Sequence, residues 1–138
     1  MANLTIVAAQ VAAVKIFDSF TVPRAEAVPI GGYGRLNTAG KLALGNATSA
    51  GEIGNVRGLV FELLGNTARA MSDGILDLGD ALDGMDVGDL VYLSDTDGLL
   101  ADGADGTVDL VVGAIVPGFG ELTASKLLRV RLNVSPGA

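Results

Sequence analysis

The chain has 138 residues, 49% of them hydrophobic, no cysteine, no histidine and a formal net charge of −7. The missing residues exclude disulfides, thiolate and imidazole zinc sites, and Ser-His-Asp or Cys-His nucleophiles, leaving carboxylates, lysine, tyrosine and hydroxyls for any chemistry. The length suits one domain, and twenty glycines against four prolines imply many turns between short strands.

The first stretch, MANLTIVAAQVAAVKIF, is apolar but lacks a basic leader, and Gln10 and Lys15 interrupt it before it could span a bilayer. Neither a signal peptide nor a membrane helix is expected. Residues Ile6 to Phe17 are alanine-rich enough for a helix, yet Thr5, Ile6, Val7, Val11, Val14 and Ile16 are β-branched, which favours an extended arm or edge strand. Residues 1–22 therefore read as an amino-terminal arm, and 23–138 as a single β-domain. The arm either closes the core of its own subunit or is ordered over a neighbour. Its apolar residues Leu4, Ile6, Val7, Val11, Ile16, Phe17 and Phe20 are the candidate partner-contact residues.

Further along, strands are expected at Arg35 to Asn37, Lys41 to Leu44, Val56 to Leu64, Ile75 to Leu78, Gly88 to Ser94 and Val108 to Val116, each bounded by Gly, Asn or Asp. A short turn of helix at Asn66 to Ser72 is the other helical possibility. At the carboxyl end Leu128, Val130, Leu132 and Val134 alternate with Arg129, Arg131 and Asn133, a half-buried strand with one basic face. The fold expected is all-β: a small barrel or sandwich of short antiparallel strands with an extended amino-terminal arm and at most one short helix.

Two segments, about 30–62 and 86–117, share an order of features. Leu36 aligns with Leu93, Gly40 with Gly98, Leu42 and Ala43 with Leu100 and Ala101, and Val56 and Gly58 with Val111 and Gly113. Either two similar β-units pack around one core, or the likeness is what any two hairpins of a glycine-rich β-protein share.

Candidate sites are few. Asp95, Asp97, Asp102, Asp105 and Asp109 lie among glycines, but Asp95-Thr96-Asp97-Gly98 misplaces the glycine of an EF-hand and no Glu closes the loop. Asp-Gly here reads as turn chemistry, with solvent-facing carboxylates and no metal or cofactor expected. A carboxylate-pair enzyme would need a cleft the sequence does not announce, and Gly31-Gly32-Tyr33-Gly34 lacks the Lys-Ser/Thr of a phosphate loop. No catalytic residue is assigned.

Charge is uneven: residues 70–125 hold twelve acids and no Lys or Arg, while the rest holds nine bases against four acids. Nucleic acid is not an expected partner, and the acidic segment is either a docking surface or a solvated face.

The succession KIFDSFTVPRAEAVPIGGYGRL, TAGKLALGNATSA, VRGLVFE, GDLVYLSDTDGLLA and KLLRVRLNV resembles the head decoration (capsid cement) proteins of tailed bacteriophages over nearly the whole chain. The most telling piece is GDLVYLSDTDGLLA with its return strand ending in Val-x-Gly. The resemblance implies a β-rich, non-enzymatic virion protein. It would be made in the host cytoplasm and bind the major capsid protein on the outer capsid surface, typically as a homotrimer that reinforces the shell. A β-module of another assembly, such as a head fibre base or a tail component, is the alternative.

Overall fold

The computed structural model describes residues 3–104, 107–118 and 126–132. Nine strands among them form one antiparallel sheet: β1 (Ala12–Pro23), β2 (Tyr33–Leu36), β3 (Leu42–Leu44), β4 (Arg57–Leu64), β5 (Thr67–Asp77), β6 (Leu90–Leu93), β7 (Leu100–Ala101), β8 (Val111–Pro117) and β9 (Lys126–Arg131). A single-turn helix, α1 (Ala50–Ile53), and two 3-10 turns, Ala8–Gln10 and Gly79–Leu82, complete the described elements. The protein is all-β, as its sequence implies, and the sheet curls into a half-barrel. No helix among the described residues is long and apolar enough to cross a membrane.

The strand order is β3-β2-β4-β5-β9-β8-β6-β7, so two four-stranded halves of the same internal order meet where β5 pairs with β9. Register repeats as well. Leu36 pairs with Leu42 and Arg35 with Ala43, while Leu93 pairs with Leu100 and Tyr92 with Ala101. Gly34 faces Gly58 and Val91 faces Gly113. In both β4 and β8 the glycine is where the next strand comes closest: a Cβ on Gly58 would press on the Met71 carbonyl, and one on Gly113 would overlap the Arg129 carbonyl.

Where the ends of the sheet approach each other, loops tie them. Tyr33 N donates to Gly98 O at 3.0 Å, Gly98 N to Gly45 O at 2.7 Å and Ala47 N to Ser94 O at 2.9 Å. The main core lies inside this curl, with Tyr33, Leu59, Met71, Leu76, Leu93, Leu100, Ile115 and Leu128 fully enclosed. Each such side chain contributes on the order of 1.5–3 kcal/mol relative to exposure. A second, smaller core of Val28, Leu42, Val60, Ala68 and Ala70 is flanked by Phe20, Val22, Ile30, Leu36, Leu44 and Leu63.

Residues Asn66 to Ser72, the helical alternative, run into β5 instead. Gly65, at φ +63°, turns the chain so tightly that Leu64 pairs with Thr67, and burial of Ala68 and Ala70 against the second core outweighs the helix preference of Ala-Arg-Ala-Met. The strand expected over Ile75 to Leu78 is the end of this longer one. Among the described residues the one α-helical turn is α1: Ser49 Oγ accepts from Glu52 N at 3.3 Å, and Gly54 at φ +76° ends it. β8 begins at Val111 rather than Val108, because Val108 N is drawn aside to Ala47 O at 2.8 Å. In β9, Leu128, Val130 and Leu132 are buried and Arg131 is exposed. Asn133 and Val134 lie outside the described residues.

Candidate functional site

The arm and β1 hold the candidate contact residues, and the structure divides them. Leu4, Ile6 and Val11 pack against the main core, and Phe20 against the second. Leu4 N donates to Leu100 O at 2.8 Å, and Gly31, at φ +85°, leaves room for Ile6 and Val11 that a Cβ would fill. Val7, Ile16 and Phe17 point outward, at 49%, 42% and 59% exposure.

β1 pairs with β5 along its length, from Ala12 opposite Asp77 to Pro23 opposite Thr67, yet none of its residues is buried. Val14 and Phe17 each lack an opposite residue on β5, so both sit at bulges, as does Ser72 on the partner strand. A bulge re-aims its side chain. Phe17 lies beneath the Arg129 guanidinium, 5.0 Å from the ring centroid, and Arg129 also pairs with Asp73. The outer edge of β1 is blunted against strand addition by its bulges, Lys15, Asp18 and Pro23. Its side chains, rather than its backbone, are what it offers a partner.

A second exposed apolar group, missed by sequence reasoning, is formed by Val87, Leu90 and Val111 at 55%, 40% and 39% exposure. Leu90 pairs with Ala114 and Val111 with Tyr92, so these two lie on the same face of β6 and β8 with the Val91–Gly113 row between them. The continuous apolar run VVGAIVP conceals which residues face out. Only period-two reading from the paired strand would have found Val111.

Two aspartates of the 95–109 stretch, Asp95 and Asp97, hold loops. Asp97 Oδ1 accepts from Asn46 Nδ2 at 2.5 Å, bridging the two sheet ends, and Asp95 Oδ1 accepts from Thr107 N at 3.2 Å. Ser94 Oγ donates to Asn3 Oδ1 at 2.6 Å and accepts from Thr96 N at 3.0 Å. Asp105 lies outside the described residues, among which no three acidic side chains gather as a metal-binding group.

At the fork where β4 and β9 part from β5 there is a cleft of about 390 Å³ lined by Asp18, Ser19, Phe20, Asn55, Val56, Arg57, Ser72 and Leu132. Arg57 spans it, with Nε donating to Leu132 O and Nη1 to Gly54 O, both at 3.1 Å. Those bonds make Arg57 a strut of the fork. Nearby, Tyr33 Oη donates to Ile53 O at 2.5 Å, and burial raises its phenol far above the ordinary range, with Arg57 and Arg35 pulling the other way. No nucleophile and base are brought together among these groups.

No family model matches the chain, and neither a curated protein nor a solved structure does.

Proposed function

We propose that the chain is a structural virion protein that binds the outer surface of a tailed-phage capsid, in groups of three, and stabilises the shell without catalysing a reaction. The reading starts from the resemblance of its successive segments to head decoration proteins. The observation that supports it most is β1: twelve residues fastened to the half-barrel by one edge, none buried, with Ile16 and Phe17 turned outward. Such a strand is held in place by β5, so a partner pays little ordering entropy on contact. A copy that touches several major capsid subunits adds interfaces that disassembly must break, and its effect grows with affinity and copy number.

The test is cosedimentation of purified protein with expanded, undecorated heads, with electron microscopy of the pellet. The expected result is saturable binding at threefold positions and a higher disassembly temperature. Protein that stays in the supernatant from low to high salt overturns the reading.

A further inference from the structure

Between the amino-terminal arm and the glycines that precede β2 lies a socket of about 130 Å³. Half-buried Leu4, Ile6, Ile30 and Leu99 wall it, and the buried glycines Gly31, Gly32 and Gly98 form its floor. No lining residue carries a charge or a side-chain hydrogen-bonding group. The N–H groups of the floor are already spent: Gly31 N donates to Val60 O at 2.7 Å, Gly32 N to Pro29 O at 2.9 Å and Gly98 N to Gly45 O at 2.7 Å. Asp97, next to Gly98 in the chain, is turned onto Asn46 Nδ2.

The walls are fixed by the chain itself, because the arm is tethered on both sides of them. Ahead of them Ser94 Oγ donates to Asn3 Oδ1 at 2.6 Å and Leu4 N to Leu100 O at 2.8 Å. Behind them Gln10 Nε2 donates to Asp80 Oδ2 at 3.1 Å, and Asp80 N donates to Gln10 Oε1 at 3.2 Å. Gly31, at φ +85°, lets Ile6 close on the floor, since a Cβ there would come within 2.5 Å of the Ile6 Cγ2. A guest therefore meets a site whose ordering is already complete.

We propose that this socket takes one uncharged apolar side chain, a branched aliphatic or a single aromatic ring, from a partner protein. Size and charge select that occupant. The volume is well below the roughly 300–1,000 Å³ of sites that enclose a cofactor or metabolite, and close to the ~150 Å³ at which an apolar cavity accepts benzene. With no charge, donor or acceptor on its side chains, the socket gives a polar guest nothing in return for desolvation. A free molecule of that size gains too little from burial to bind tightly, whereas a side chain of a folded partner adds its burial to a wider contact. The inference rests on the proposed function only for the identity of the partner, the major capsid protein.

Two measurements on the full chain test it. The first is methyl NMR of the isolated protein titrated with benzene, standing in for the side chain, and with benzoate as its charged counterpart. Benzene should shift the methyls of Leu4, Ile6, Ile30 and Leu99 saturably, and benzoate should bind at least about tenfold more weakly. The second is cosedimentation with expanded heads of variants at Ala8, an exposed residue on the rim. Ala8→Phe, which plugs the socket, and Ala8→Asp, which charges its mouth, should each weaken head binding at least about tenfold, whereas Ala9→Phe beside it should bind like the parent. Because both alanines are exposed, unchanged melting temperatures verify folding.

Benzene that leaves those methyls unshifted, or shifts the outward methyls of Val87, Leu90 and Val111 equally, overturns the proposal. So do Ala8 variants that bind heads like the parent, which would leave a site for small apolar molecules only. Socket methyls that shift with protein concentration alone would make a second copy the occupant and overturn it as well. Parent protein that fails to bind heads while benzene still fills the socket would sink the proposed function and leave the socket standing.

Discussion

The two halves of the sheet share strand order and register but differ in what covers them. In the first half the cross-strand pair Tyr33 and Leu59 is fully buried, and a second core covers Val60, Ala68 and Ala70. In the second half the equivalent pair, Leu90 and Ala114, is exposed or half-buried. The segment between β3 and β4 explains part of this: it forms α1, whose Ile53 is buried and takes the Tyr33 hydroxyl. Facing explains more: Tyr33 and Leu59 point into the main core, whereas Leu90 and Ala114 alternate with Val91 and Ile115, which fill that core, and so point away from it. Equal topology therefore does not give equal surfaces. The outward face of the second half is left with Leu90 and Val111 in water.

The sharpest way to break the comparison is to truncate matched positions. Leu59→Ala should cost about 2–5 kcal/mol by loss of burial and a cavity, whereas Leu90→Ala should stay within about 0.5 kcal/mol, both read by urea unfolding. Equal losses would mean the second half is covered after all.

Next come the matched glycines. Gly113→Ala puts a methyl onto the Arg129 carbonyl and should cost about 1–3 kcal/mol, with Gly58→Ala less severe because its clash with the Met71 carbonyl is at 2.9 Å. Reversal of that ranking would show that the β8 to β9 contact yields more readily than the β4 to β5 contact.

Tyr33→Phe removes the donor to Ile53 O and should cost about 1 kcal/mol at neutral pH. Burial holds the Tyr33 phenol above its ordinary value of 10.0, so its contribution is complete below that pH and is lost as pH rises beyond it. Stability of the parent should fall steeply above about pH 10 and that of Tyr33→Phe less so, measured by denaturant midpoints in alkaline buffers. Parallel curves would place the alkaline loss elsewhere.

A small effect is also expected at the β1 surface. Phe17→Ala removes an exposed ring under Arg129 and should cost less than about 1 kcal/mol in the isolated chain. A larger loss would mean that Phe17 serves its own fold rather than a partner.

Much of the sheet is legible in residue order. The alternation from Leu128 to Leu132, the glycine and aspartate turns, and the β-branched run ahead of Phe17 all act locally, through side-chain period and backbone sterics. Ser49-Ala50-Gly51-Glu52 is a capping sequence that announces α1, although one turn is too short for hydrophobic period to register. Residues Asn66 to Ser72 mislead because their helix propensity is intrinsic while the burial that overrides it comes from Val28, Leu42 and Val60, distant in the chain.

The candidate surface was half legible. The amino-terminal apolar residues are visible in the sequence, but only packing separates Leu4, Ile6, Val11 and Phe20, which turn inward, from Val7, Ile16 and Phe17, which do not. The patch at Val87, Leu90 and Val111 was hidden, since an apolar residue carries no mark of which layer will cover it.

By itself the sequence determined the β-class, the turn positions, the exclusion of histidine and cysteine chemistry, and the separation of acidic from basic segments. Those follow from composition and from interactions a few residues long. The tertiary structure decided that the two four-stranded halves meet at β5 and β9, that the bulge turns Phe17 under Arg129, and which face of each half is buried. Each depends on contacts between residues far apart in the chain, whose outcome is set by which surfaces compete for the same apolar neighbours.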